Sequence, residues 1–266
     1  KEGLPQSRTP DDDEAWRRGT QRLGFRILHR ISKACTVTPT TVVATVLLSH
    51  QGRGLSQSKL LENSRAILEY LDDALARFSA PLRSPRTRDA AVLEAIEQLI
   101  DDDTVSVQRA GRSDGEPIYY VEEDKRILLD FPKNSAINHF APGAIIARAL
   151  TSSSDMLFPY NRVRDDVRYL SQLFKQEFIF RGDADFDQVF DDTLATLIVR
   201  GYVNITESGE IEVLNRDKLT MLSGFLDSFV EAYWTVAHSL RELQRFPLWS
   251  EELKTRALDG TTRAFL

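Results

Sequence analysis

Over residues 13–34 apolar side chains fall at Trp16, Leu23, Ile27, Leu28 and Ile31, with arginines and a lysine between them. That spacing predicts one face of a helix with a basic opposite side. Thr38 before Pro39 reads as an N-cap followed by proline at the first helical position. The helix it opens, TTVVATVLLSHQ, is apolar on almost every side and is expected to be buried. Ser56 caps a third helix, whose stripe runs through Leu60, Leu61, Ile67, Leu68, Leu71, Leu75 and Phe78. After the break SAPLRSPRTR, the segment DAAVLEAIEQLIDDD turns Val92, Leu93, Ile96, Leu99 and Ile100 inward.

The period then drops to two. TVSVQRA and PIYYVEE predict strands joined by GRSDGE, and RILLDF is a candidate third strand. Three helices followed by a hairpin is the layout of a winged helix. KNSAINHFAPGAIIARALTS reads as helix in two pieces, with Pro132 opening the first. The earlier order then recurs. NRVRDDVRYLSQLFKQEF places Val163, Val167, Leu170, Phe174 and Phe178 on one face, and FDQVFDDTLATLIVRG ends at Gly201, a suitable C′ residue. YVNITE and EIEVLN flank SG, predicting a hairpin with a two-residue turn. KLTMLSGFLDSFVEAYWTVAHSL reads as one long apolar helix, and SEELKTRALDGTTRAFL as another, capped by Ser250.

The expected fold is therefore mainly α with small β-hairpins: two winged-helix-like helical lobes joined by an apolar helix. The expected division is a lead-in and basic amphipathic helix at 1–35, a first lobe at 36–131, a connecting helix at 132–157, and a second lobe at 158–266, truncated at its C-terminal end. No sequence repeat is exact, yet the order helix, helix, hairpin occurs near 56–130 and again near 161–214.

Composition narrows the function. The chain has 266 residues, enough for one large domain or two small ones, and a net charge of -6. That balance argues against a nucleic-acid partner, whose affinity comes largely from neutralising phosphates. Cys35 is the single cysteine, so neither an intrachain disulfide nor a thiolate metal site is available. The longest apolar runs, 42–49 and 143–150, are shorter than a membrane span, and the second contains Arg148. A start at KEGLPQSRTPDDDE without Met and a stop at TTRAFL suggest a piece of a longer protein.

The motifs of common chemistries are missing. There is no G-x-x-x-x-G-K-[ST] and no G-x-G-x-x-G after a strand. The four histidines, His29, His50, His139 and His238, form no metal-binding pair. Five residues beyond them stand Ala34, Leu55, Ala144 and Leu243, so H-x-x-x-x-D does not occur. No metal and no cofactor are expected. The acidic runs at 11–13, 72–73, 101–103, 165–166 and 191–192 read as solvated faces. TSSSD (151–155) reads as a linker, and Tyr233, Trp234 and His238 as helical packing. One stretch stays open, FPKNSAINHF. Lys133, Asn134 and His139 at the start of a helix would suit an anion. They would equally suit a capped interface helix burying Ala136, Ile137, Phe140, Ala144, Ile145 and Ala149. Arg148 lies further along the same segment and completes the candidate substrate or interdomain cluster.

The same residues carry a family resemblance. FPKNSAINHFAPGAIIARAL resembles the glycerol-3-phosphate acyltransferase segment that reads aromatic, Tyr or Pro, Lys or Arg, Asn, then His, ahead of an apolar helix. LFKQEFIFRGDADFDQVFDDTLATLIVRGYVNI and LGFRILHRISKACTVTPTTVVATVLLSHQGRGLSQSKLL resemble two further segments of that family, in the right order. The resemblance covers most of residues 21–240. It implies the helical region that follows the catalytic domain, because the family's H-x-x-x-x-D, its EGTRSR-like phosphate motif and its P-hydrophobic-S motif are all absent here. No catalytic residue is therefore carried over. Lys133, Asn134 and His139 match the family's polar cluster, with Pro132 where an aromatic is often seen.

The parent reaction implied is acyl transfer from acyl-CoA or acyl-carrier protein to glycerol 3-phosphate in phospholipid biosynthesis. The chain alone is expected to be inactive. Its expected partner is the parent's acyltransferase domain, with peripheral contact to the cytoplasmic face of a membrane. Arg17, Arg18, Arg22, Arg26, Arg30 and Lys33 would face anionic lipid, solvent or that domain. Two alternatives are a dihydroxyacetone phosphate acyltransferase and a winged-helix module that binds DNA or protein.

Overall fold

Thr38 does what its position before a proline predicts: its Oγ1 accepts from Thr41 N at 3.2 Å and opens α2 (Pro39–Ser49). Every residue from Thr41 to Ser49 is buried, including three with hydroxyls. Thr45 Oγ1 donates to Thr41 O and Ser49 Oγ to Thr45 O, each at 2.6 Å, so these hydroxyls are satisfied within the helix. The computed structural model describes residues 10–50, 52, 54–109, 115–179, 184–243 and 255. Ahead of α2 lies α1 (Pro10–Ala34). The short strands β1 (Thr36–Val37) and β3 (Arg77–Phe78) pair in parallel.

From α2 onward the chain follows one plan twice. The first pass runs α2, β2 (Leu55–Ser56), α3 (Gln57–Asp73), α4 (Pro85–Asp101), β4 (Ser106–Arg109), β5 (Pro117–Tyr120) and α5 (Arg126–Asn134). The second runs α6 (Ile137–Thr151), β6 (Leu157–Pro159), α7 (Tyr160–Leu173), α8 (Phe186–Val199), β7 (Val203–Ile205), β8 (Glu210–Val213) and α9 (Arg216–Ser223). Each sheet is antiparallel with the last strand in the middle, in the orders β2-β5-β4 and β6-β8-β7. These are two winged helices in tandem, mainly α with small sheets. In each, the closing helix returns onto the opening one: α5 packs on α2, and α9 on α6.

The opening helices are the buried ones because they are apolar on all sides. In α6 the residues Phe140, Ala141, Gly143, Ala144, Ile145, Ile146 and Ala147 are all buried. Tyr70 of α3 stacks on Phe140 at 5.7 Å, and Phe225 meets Phe140 edge-on at 4.4 Å, so one aromatic column joins the two repeats. Both repeats belong to a unit that ends at Phe225. A second unit begins at Leu226 and contains α10 (Asp227–Leu243).

Four expectations change. RILLDF is helix α5, not a strand; the third strand is Leu55–Ser56, too short to show a period of two. The stripe assigned to α3 stops early: the helix ends at Asp73, Leu75 takes a positive φ of 53° and is 83% exposed, and Phe78 lies in β3. The hairpin at β7–β8 turns through Glu207, Ser208 and Gly209, with Thr206 N donating to Glu210 O at 2.9 Å and Gly209 at φ 80°. This is a three-residue loop with a left-handed glycine, one residue longer than the SG turn suggested. The long helix from Lys218 is broken into α9 and α10 by a 3₁₀ turn at Gly224–Leu226. A Cβ at Gly224 would come 3.1 Å from Ser49 O, so glycine there lets the chain pass close over the end of α2. The expected helix over SEELKTRALDGTTRAFL lies outside the described residues, except for Thr255.

Candidate functional site

Lys133 and Asn134 are not at a helix start. They close α5, which runs through Pro132 in its second half, and Ser135 is its C-cap. The Lys133 side chain is buried, and its Nζ lies 2.9 Å from Asp130 Oδ1 one turn back. An ammonium at a helix C-terminus is favoured by the helix dipole, the reverse of the anion-binding arrangement the sequence suggested. Asn134 Oδ1 is buried and accepts no hydrogen bond from the described residues. His139 belongs to the next helix, in the first turn of α6. Arg148 lies nine residues further on, roughly 13 Å along the axis at 1.5 Å per residue. The four residues therefore occupy two helices and do not share a first turn.

His139 opens onto a cavity of about 250 Å³ that draws on both repeats. Its walls are His29 and Ser32 of α1, Tyr70 and Asp73 of α3, Asn138, His139 and Pro142 of α6, Ile179, and Val189, Asp192, Thr193 and Thr196 of α8. Burial pushes the Tyr70 phenol well above its ordinary range, so it stays protonated and neutral. The tyrosine hydroxyl lies so close to Gly143 that a Cβ there would collide with it. Asn138 Oδ1 accepts from Ile179 N at 3.0 Å and so ties α6 to the segment after α7.

Asp73 is committed to an ion pair. Arg200 Nη2 donates to Asp73 Oδ1 at 2.7 Å, Arg200 Nε donates to Asp73 Oδ2, and Arg200 Nη1 lies 3.6 Å from Glu69 Oε2. The hydrogen bonds from Arg200 hold the Asp73 carboxyl below the usual aspartate range. Its neighbour Asp72 accepts two bonds from Arg88, at 2.7 and 2.8 Å, while Arg88 Nε donates to Leu82 O at 2.9 Å. The acidic pair at 72–73 is thus not a solvated face. Asp72 fastens α3 to α4, and Asp73 fastens α3 to the end of α8 in the other repeat. TSSSD is likewise held, since Arg216 donates to Ser153 O at 2.9 Å and to Asp155 O.

A second cavity, about 350 Å³, adjoins the first across Pro142, Val189 and Thr193. Ile146, Val167, Phe186 and Phe190 make it apolar, with Arg168 and Lys175 at its rim. Arg168 lies over the Phe186 ring at 4.7 Å and donates to Asp187 at 2.9 Å. Among the described residues no group of three or more His, Cys, Asp or Glu is placed to hold a metal ion. No described helix is long and apolar enough to cross a membrane. The sequence did not single out Tyr70 or Asn138, and it presented Asp73 only as part of a solvated acidic face; nothing in the spacing of His29 and His139 shows that they line one cavity.

Fold and site together define a mainly α protein of two tandem winged-helix repeats, with a polar cavity built from both. The profile of the glycerol-3-phosphate acyltransferase C-terminal region matches residues 1–265, and the chain belongs to that family. Similar proteins include the putative acyltransferase plsB1 of Mycobacterium tuberculosis and of Mycobacterium bovis, each 28% identical over 252 residues. The match covers 90% of this chain and 39% of each of those proteins. A glycerol-3-phosphate acyltransferase of Ectopseudomonas mendocina is 25% identical over 246 residues, 88% of this chain and 28% of that protein. The chain thus spans well under half the length of these relatives.

Proposed function

We propose that this chain is the supporting C-terminal region of an enzyme that transfers an acyl group from acyl-CoA or acyl-carrier protein to the 1-hydroxyl of glycerol 3-phosphate, a step of phospholipid biosynthesis. The observation that carries this reading is the family match over residues 1–265 in a chain without H-x-x-x-x-D. The histidine that would deprotonate the acceptor hydroxyl belongs to an acyltransferase domain of the same parent, and that domain is this region's partner. Acyl donor and lysophosphatidic acid product are amphiphilic, so the parent works at a membrane surface, on its cytoplasmic face. Lys133, Asn134, His139 and Arg148 are supporting polar groups in this reading, and Lys133 pairs with Asp130 one turn back within α5.

The face offered to the catalytic domain is on α5. Ile127, Leu128 and Phe131 are 72%, 58% and 85% exposed, side by side on one helix whose opposite side is buried by Leu129 and Lys133. A nucleic-acid reading of the second winged helix is disfavoured by α8. It takes the place of a recognition helix but carries Asp187, Asp191 and Asp192 and no Lys or Arg.

The test is Ile127→Asp with Phe131→Asp in the full-length parent. Acyl transfer should fall at least tenfold, while the same pair in the isolated chain leaves its melting temperature unchanged. Wild-type activity in the double variant would remove α5 from the interface.

A further inference from the structure

Residues 15–34 carry Arg17, Arg18, Arg22, Arg26, Arg30 and Lys33 and no Asp or Glu, a local charge of +6 in a chain whose net charge is -6. They make up most of α1. At 3.6 residues per turn, Leu23, Trp16, Ile27 and Ile31 fall within one arc of about 80°. The arc points outward: these residues are 57%, 61%, 50% and 58% exposed. The side of α1 that meets the rest of the unit is marked by buried Ser32 and by His29, which lines the polar cavity. Arg22, Arg26 and Arg30 follow the apolar arc along one border, and Arg17 stands at the other. Arg18 pairs with Glu14 at 3.5 Å, whereas Arg22, Arg26 and Arg30 have no carboxylate within 4 Å among the described residues.

We propose that α1 lies in the interfacial plane of an anionic bilayer. Leu23, Ile27, Ile31 and Trp16 enter the boundary between headgroups and acyl chains, and Arg22, Arg26 and Arg30 meet lipid phosphates. A narrow apolar arc with a basic polar face, tryptophan and leucine on one side and arginine on the other, is the pattern of a helix that rests on a membrane without crossing it. Arginine side chains at the edge of such an arc place their stems along the apolar surface and their guanidinium groups at the phosphates. Charge complementarity selects this occupant. A run of 20 residues with six cations and no anion matches an extended negative surface, which an anionic leaflet supplies along residues 15–34; the four acids of α1, at 11–14, all lie at its start, outside that run. The inference deepens the membrane-surface reading above and rests on it. Its test needs no acyl transfer, so failure of one does not entail failure of the other.

The experiment is sedimentation of the purified chain with vesicles of phosphatidylcholine alone and of phosphatidylcholine mixed with phosphatidylglycerol, at low and high salt. The chain should sediment with the anionic vesicles at low salt. It should bind neutral vesicles, or anionic ones at high salt, at least tenfold less. Trp16 emission should shift to the blue on binding, a change absent from Trp16→Phe. Leu23→Ser with Ile27→Ser and Ile31→Ser keeps every charge and should abolish sedimentation. Arg22→Gln with Arg26→Gln and Arg30→Gln keeps the apolar arc and should weaken binding to anionic vesicles by roughly tenfold or more. All six positions are exposed, and unchanged circular dichroism and melting would show that both variants fold. Equal binding to neutral and anionic vesicles, or wild-type binding by both variants, would overturn the proposal.

Discussion

Leu75 holds a left-handed backbone at φ 53° while its side chain is 83% exposed. It terminates α3 in the position usually given to glycine, with Ala76 N donating to Leu71 O at 3.0 Å. A non-glycine residue there costs on the order of 1–2 kcal/mol, and little packing offsets it. Leu75→Gly should therefore stabilise the protein by about 1 kcal/mol, net of the greater freedom of glycine in the unfolded chain. The shift is roughly 2–4 °C in melting temperature, read by differential scanning calorimetry. Gly143→Ala should do the reverse. Its new methyl meets the buried Tyr70 hydroxyl in the aromatic column, at a cost of about 1–3 kcal/mol.

These two positions show where single residues were illegible in the sequence. Leu75 fits an i, i+4 stripe with Leu71, so periodicity extended the helix through it; only the backbone reveals the αL turn. Lys133 was legible as polar and placed beside apolar residues, but its partner Asp130 lies one turn back on a helix that the pattern RILLDF presented as a strand. The buried small-residue face of α6, by contrast, was legible residue by residue, because Ala136, Ile137, Phe140, Ala144, Ile145 and Ala149 repeat at helical spacing and all are buried.

Among the elements, α3 and α8 are joined by charge. Arg200 at the end of α8 reaches Asp73 and Glu69 on α3, and so links the two winged helices. Because Arg200 lowers the Asp73 pKa, the folded state binds this proton less readily than the unfolded chain does. The stability it confers is complete above the unfolded aspartate pKa of about 3.9 and is lost as pH falls through the lower folded value. Arg200→Met should cost about 1 kcal/mol at neutral pH. In urea titrations its deficit against wild type should shrink below about pH 4. A deficit that stays constant into acid would show that Arg200 acts through packing alone.

Two helix caps were readable, Thr38 and Ser56, each accepting from the backbone of the first turn; Asp185 and Asn215 cap α8 and α9 in the same way and were not named from the sequence. Elements of two or three residues, β2 and β6 above all, were not, since a period of two needs more length to appear. They are the strands that turn each hairpin into a three-stranded wing.

For the whole molecule, duplication was visible as an order of elements even though no sequence repeat is exact. The structure extends it at both ends: by an opening helix and short strand (α2 and β2, α6 and β6) and by a closing helix (α5, α9). The candidate site was the least legible part. The cavity walled by His29, Tyr70, Asp73 and His139 is assembled from both repeats and α1, and no local spacing encodes that meeting. What the sequence did carry was a lack: no histidine has an aspartate five residues on, which separates this chain from the catalytic part of its family.

The consequence of that lack is measured by assaying acyl transfer from acyl-CoA to glycerol 3-phosphate by the purified chain. No lysophosphatidic acid should form above the protein-free control at any concentration of either substrate, with the full-length parent assayed alongside under the same conditions. Product formed by the purified chain, proportional to its concentration, would contradict that expectation.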